Sequence, residues 1–179
     1  MKLDRVMGVG VALVGFVLSC ESAPLAAPAS ERTITASAQA PVWQPISGTM
    51  DVVGVGAPGR VLVTPGGECR FTNLPVSTRF SGDVAGVVTF HENNNTPCEG
   101  GHIVGSGAFD GSVTWNGVSG TISGQWTTNC KPDATQPAGV SCDGTMNARG
   151  SGGLDGVQLH FKWGPGWFPF PYSGSAFAR

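Results

Sequence analysis

His91 and His102, two of only three histidines in the chain, bracket its densest cluster of reactive side chains. Between them runs Glu92-Asn93-Asn94-Asn95-Thr96-Pro97-Cys98-Glu99-Gly100-Gly101. Two imidazoles beside two carboxylates form the donor set of a divalent-metal site, and they span the pKa range of an acid/base pair. Either chemistry needs the imidazoles face to face. They are placed so if strands over 78–91 and 102–115 pair across the intervening loop. The plainer reading is a polar hairpin loop tied down by Cys98, and it is preferred. The third histidine, His160, falls on the polar face of its segment and reads as a solvated surface residue.

A second candidate surface is Trp163-Gly164-Pro165-Gly166-Trp167-Phe168-Pro169-Phe170-Pro171-Tyr172. Aromatics on a proline-stiffened segment stack on sugars, rest on a membrane or plug the end of a barrel. Plugging is the plainest of the three. The chain has no G-x-S-x-G elbow, H-E-x-x-H pair, phosphate loop or dinucleotide fingerprint. No catalytic residue and no cofactor is therefore expected. Lys and Arg never cluster, and the formal net charge is only −2, so a nucleic-acid partner is excluded.

Five cysteines are an odd number, and the first explains the remainder. Cys20 ends Val17-Leu18-Ser19-Cys20, after an apolar run from Val6 to Leu18 and the basic residues Lys2 and Arg5. A basic start, an apolar core of roughly a dozen residues and a small residue before the cut describe a secretory signal peptide. The run is shorter than the about 20 residues of a membrane-spanning helix. Val-Leu-Ser-Cys resembles the bacterial lipobox. That resemblance implies a signal peptide over 1–19, diacylglycerol on the Cys20 sulfur, and a palmitate-type acyl chain on the new N-terminus. The alternative is an ordinary signal peptide cut near Ala23. Glu21, in place of the aspartate that signals inner-membrane retention, implies by the same resemblance an outer-membrane destination. The membrane is then a partner through the lipid anchor, in the bacterial cell envelope.

With Cys20 lipidated, Cys69, Cys98, Cys130 and Cys142 remain, an even set in an oxidising compartment. Of three possible pairings, Cys69–Cys98 with Cys130–Cys142 is favoured, because each pair brackets a polar, turn-rich stretch. Closing the second of these loops contributes about 2–3 kcal/mol by restricting the unfolded chain. No C-x-x-C and no Cys/His pair at zinc spacing occurs, so no metal is expected beyond the weak His91/His102 candidate.

These residues need a scaffold, and its pattern is legible. Residues 20–45 are rich in Ala, Pro, Ser and Thr without apolar periodicity, and read as a disordered tether behind the lipidated cysteine. Residues 46–179 form the folded domain, where alternation of period two dominates. Phe80, Gly82, Val84, Gly86, Val88 and Phe90 share one face of a strand over 78–91. Ile103 to Trp115, Val118 to Trp126 and Val157 to Trp163 repeat the scheme. Shorter strands are expected at Thr49–Val55, Arg60–Thr64, Cys69–Leu74, Cys142–Ala148 and Tyr172–Ala178. Asn116-Gly117 is a type I′ hairpin turn. The Pro-rich stretch 164–171 is not expected to be interior strand.

The fold class is all-β and mostly antiparallel. Glycines on the apolar face, among 28 in the chain, argue for the strong bending of a barrel, with a β-sandwich as the alternative. Phe80, Phe90, Phe109, Trp115, Trp126, Phe161 and Trp163 would point inward. They either fill the barrel, the favoured reading, or line a cavity for a small apolar ligand.

Arg79-Phe80-Ser81-Gly82-Asp83-Val84-Ala85-Gly86, Gly105-Ser106-Gly107-Ala108-Phe109-Asp110-Gly111, Gly120-Thr121-Ile122-Ser123-Gly124 and Gly150-Ser151-Gly152-Gly153-Leu154-Asp155-Gly156 are similar to motifs of one superfamily. It is that of the allene-oxide-cyclase-like β-barrels, in particular small bacterial members of unknown function. The resemblance covers residues 47–178. It implies an antiparallel barrel of eight strands that is often a homo-oligomer. It does not carry over the plant enzyme's activity, because none of that enzyme's functional polar residues is matched here.

Two functions are in view. The leading one is a non-catalytic envelope lipoprotein that binds a small hydrophobic ligand or serves as a structural or interaction module. The rival is an enzyme, either a cyclase- or isomerase-like barrel or a metal-assisted one using His91 and His102. A polar residue on the inward face would favour the rival. The well-patterned strands show almost none.

Overall fold

A computed structural model of the chain describes residues 42–178. The signal peptide expected over 1–19, the acylation site Cys20 and most of the tether expected over 20–45 lie outside the described residues. Nine strands follow one another: β1 (Gln44–Val55), β2 (Arg60–Val63), β3 (Glu68–Gly82), β4 (Val84–Pro97), β5 (Ile103–Trp115), β6 (Val118–Pro132), β7 (Val140–Ser151), β8 (Gln158–Gly166) and β9 (Phe170–Phe177). Among the described residues the only helical turn is a short 3-10 segment at Gly152–Leu154.

Eight of these strands form a closed antiparallel barrel. From β3 to β9 each strand pairs with its predecessor, and β1 closes the ring between β9 and β3. Closure excludes the sandwich alternative. β2 lies outside the ring and pairs only with the first part of β3.

The alternation read over 78–91 belongs to two strands, not one. β3 ends at Gly82 and β4 begins at Val84, with Asp83 at the corner. Gly82 takes a φ of 115°, which side-chain-bearing residues rarely adopt. Asp83 Oδ2 then accepts a hydrogen bond from the Ser47 backbone N–H at 2.7 Å. The corner is tight enough to preserve parity, so Phe80, Val84, Val88 and Phe90 are all buried.

Several strands also outrun their expected ends. β4 continues past His91 to Pro97, β6 past Trp126 to Pro132, and β1 starts at Gln44, paired with Ala176. Pro165 and Pro171, expected outside strands, lie within β8 and β9. Pro165 is tolerated because the β7–β8 pairing jumps from Gly144↔Trp163 to Cys142↔Gly166, leaving no ladder bond for it to donate.

The two ends of the barrel differ. One is formed by the Asp83 corner, the Asn116-Gly117 turn and the 3-10 turn. There Leu154 is 1% exposed and closes the interior from below. Above it Phe80, Val84, Ile122 and Leu159 are packed almost completely. The Tyr172 hydroxyl crosses the lumen, accepting from the Val84 N–H at 3.0 Å and donating to the Val84 carbonyl at 3.1 Å. Burial pushes that phenol above its ordinary pKa, so it stays neutral. The other end, here called the mouth, carries both cysteine pairs, the loop between β6 and β7, and the Trp167-Phe168-Pro169 segment.

Candidate ligand cavity at the barrel mouth

The mouth half of the interior is not filled. A cavity of about 140 Å³ lies inside it. Its lower wall is Phe90, and its sides are Trp126 from β6 and Trp163 from β8. Trp167 and Phe168 reach over the opening, half-buried, with Phe168 against Phe170 at 4.2 Å between ring centroids. The proline-stiffened aromatic segment thus caps the barrel end, as its plainest reading expects.

Two of these rings sit where they do because glycine lies behind them. A Cβ on Gly144 would stand 2.5 Å from Trp163 Cε2, and one on Gly107 would stand 3.2 Å from Trp126 Nε1. Any larger residue would push the indole into the lumen. Glycine on the inward face therefore seats the aromatic walls against the sheet.

Polar groups also face this space. The even-numbered series of β4 does not stop at Phe90 but continues to Glu92 and Asn94, and both line the cavity. Asn94 Nδ2 donates to Glu92 Oε2 at 2.7 Å. Burial raises the Glu92 carboxyl above its ordinary pKa, and the Asn94 hydrogen bond offsets part of that shift. The described residues that line the cavity include no Lys, Arg or His. Thr128 is buried there too, but its hydroxyl is satisfied by the Asp143 carbonyl at 3.3 Å.

Three buried polar side-chain atoms have no hydrogen-bond partner among the described residues: Asn94 Oδ1, Trp126 Nε1 and Trp163 Nε1. Their side chains line this one cavity, but Asn94 Oδ1 is turned against Gly105 and Trp126 Nε1 against Gly107, towards the sheet and not the open space. An unpaired buried polar atom costs about 1–3 kcal/mol, and such atoms are commonly satisfied by water or a ligand.

Of the seven aromatics expected inside, all are buried, but they divide. Phe90, Trp126 and Trp163 line the cavity. Phe80, Phe109, Trp115 and Phe161 belong to the packed core, with Phe80 5.9 Å and Phe90 6.5 Å apart from their ring partners Phe161 and Phe80. The filled and hollow readings each describe one half of the barrel.

His91 and His102 are not brought face to face. His91 pairs with Ala108 in the β4–β5 ladder, well inside the strand, because β4 runs on to Pro97. Its Nδ1 lies 3.1 Å from Asn73 Oδ1 and its Nε2 3.2 Å from Asp110 Oδ1. His102 Nε2 lies instead 2.7 Å from Asn129 Oδ1 of β6. His160 is exposed and packs at a tilt against Trp43, with ring centroids 5.0 Å apart.

Cys130 and Cys142 are direct cross-strand neighbours with sulfurs at bonding distance, and they form part of the cavity wall. Cys69 and Cys98 also lie at disulfide distance and join the start of β3 to the end of β4. Sequence reasoning placed Glu92 in a loop beside His91 and gave Asn94 no role; it missed that both face the barrel interior. Their signal was present in the continued even parity beyond Phe90.

No protein-family model, curated protein or solved structure matches the chain. Fold and site define it as an antiparallel β-barrel packed solid at one end, with an aromatic-walled cavity beneath the Trp167-Phe168 segment at the other.

Proposed function

We propose that the chain is an envelope lipoprotein, anchored through Cys20, whose barrel mouth binds one small, partly apolar molecule. The observation that carries the binding reading is an unfilled space of about 140 Å³ walled by aromatic rings and carrying a single inward carboxyl, Glu92. A bound molecule would bury its apolar body against the rings and turn its polar end to Glu92. The size of the space limits that body: drug-sized pockets enclose roughly 300–1,000 Å³, so this one takes a fragment-sized molecule or the end of a longer one. The anchor rests on Val17-Leu18-Ser19-Cys20 and the even cysteine count left behind it. An eight-stranded antiparallel barrel is also what the resemblance to allene-oxide-cyclase-like proteins calls for, and membership of that superfamily is part of the proposal.

A second reading keeps the cavity and adds chemistry. Glu92 is an inward carboxyl with a raised pKa, the property of a general acid or base, and it would serve an isomerase-like reaction on the same small substrate. Binding leads because no second reactive group accompanies Glu92 among the described lining residues.

Titration with benzyl alcohol, followed by tryptophan emission and calorimetry, tests the cavity. Wild type should bind one molecule per barrel and shift its emission. Ile103→Trp, which adds bulk at the cavity wall, should fold and bind at least tenfold more weakly. Equal binding by both proteins would place the site elsewhere.

A further inference from the structure

Resting on the cavity as a binding site, we infer that its ligand is a compact organic cation, an alkylated ammonium group held between aromatic rings and the Glu92 carboxylate. The argument is one of charge. Glu92 is the sole ionisable group among the described residues lining the space. β1 faces it with Met50, β3 with Val76 and Thr78, and β5 with Ile103; β6 presents Trp126 and Thr128. From β7 comes the bonded Cys142, from β8 Trp163 and from β9 Phe170. None of these carries charge, and the neighbouring His91 is engaged with Asn73 and Asp110 instead.

A desolvated carboxylate without a cationic partner is costly, and it either takes up a proton or acquires a counter-ion. The raised pKa of Glu92, caused chiefly by desolvation, expresses that tension. A metal ion would need more oxygen or nitrogen donors than the cavity offers, and among the described residues no group of three His, Cys, Asp or Glu side chains is placed to hold one. Aromatic rings, by contrast, attract a diffuse organic cation through their quadrupoles, and more strongly once it is desolvated. Phe90, Trp126, Trp163, Trp167 and Phe168 supply those rings around the same space. An anion would meet Glu92 with no compensating charge and is disfavoured.

Choline and its uncharged isostere 3,3-dimethylbutan-1-ol, titrated into the full chain, separate charge from shape. Choline should bind one per barrel and at least tenfold more tightly than the alcohol. Glu92→Gln should remove that preference. Choline affinity of the wild type should fall as pH is lowered through the Glu92 pKa, while the variant shows no such fall. Competition by dihexanoylphosphatidylcholine would identify a lipid headgroup as the source; competition by choline alone would identify a free solute. Both results support the inference. Alcohol binding as tight as choline binding, or a preference retained by Glu92→Gln, would overturn it while leaving the cavity in place. If choline, the alcohol and benzyl alcohol all fail to bind, the cavity reading falls and the inference with it. Should Glu92→Gln not fold, the ratio of choline to alcohol affinity in the wild type decides alone.

Discussion

Glu92 shows how a single residue changes meaning with one more turn of the strand pattern. Taken as part of a loop after His91, it is a solvated carboxylate beside a metal candidate. Placed at the next inward position after Phe90, it is a partly buried acid lining an aromatic chamber. Its raised pKa has a direct thermodynamic consequence. The folded protein holds the Glu92 proton more tightly than the unfolded chain, whose value is near 4.5. The associated stability is therefore complete below about that pH and is lost as pH rises through the folded pKa. Without ligand, the melting temperature of wild type relative to Glu92→Gln should decline over that window and level off above it. Parallel melting curves across the range would mean that Glu92 is solvated. The sequence offered the types and parity of Glu92 and Asn94 but not the length of β4, and only that length turns them inward.

At the scale of elements, the sheet's faces were readable while its corners were not. The alternation through Phe80, Val84, Val88 and Phe90 named the buried positions correctly, yet it concealed the corner at Asp83 because a tight turn there leaves parity unchanged. Register was the other hidden quantity. His91 and His102 could be called opposite only by assuming where β4 stops, and its extension to Pro97 opposes His91 to Ala108 instead. The preference for two local cysteine pairs is the arrangement the structure places at bonding distance. Inward glycines were read as bending points that could leave a cavity, and at β7 the detail is more specific. A Cβ on Gly144 would lie 2.1 Å from the Thr127 carbonyl oxygen as well as 2.5 Å from Trp163. Backbone cannot yield as a flexible side chain does, so Gly144→Ala should destabilise the barrel by about 1–3 kcal/mol. It should also weaken benzyl alcohol binding by displacing Trp163. Chemical denaturation reads the first effect, and a neutral change would show that the β6–β7 contact is looser than described.

For the molecule as a whole, the account joins a closed barrel to a division of labour between its ends. The end below Phe80 is packed solid, with Leu154 as its plug and Tyr172 fixed to Val84 across the lumen. The mouth, by contrast, keeps an unfilled space beside Trp126 and Trp163. Barrel over sandwich was foreseeable from glycine-rich, aromatic strands, because closing a sheet demands bends. Filled or hollow was left open by the sequence, since the outcome depends on how far Trp126 and Trp163 retreat towards the glycines of neighbouring strands. The proposed role, a lipid-anchored barrel that collects a small molecule at its mouth, follows from this division. Native mass spectrometry of the full chain isolated from its own membrane tests this most directly, because it weighs the protein with whatever it carries. The account predicts a lipid-modified wild type that retains one small cationic molecule per barrel, and an Ile103→Trp variant that retains none. A wild type whose mass is fully explained by the polypeptide and its lipid, under conditions that preserve the fold, would contradict it.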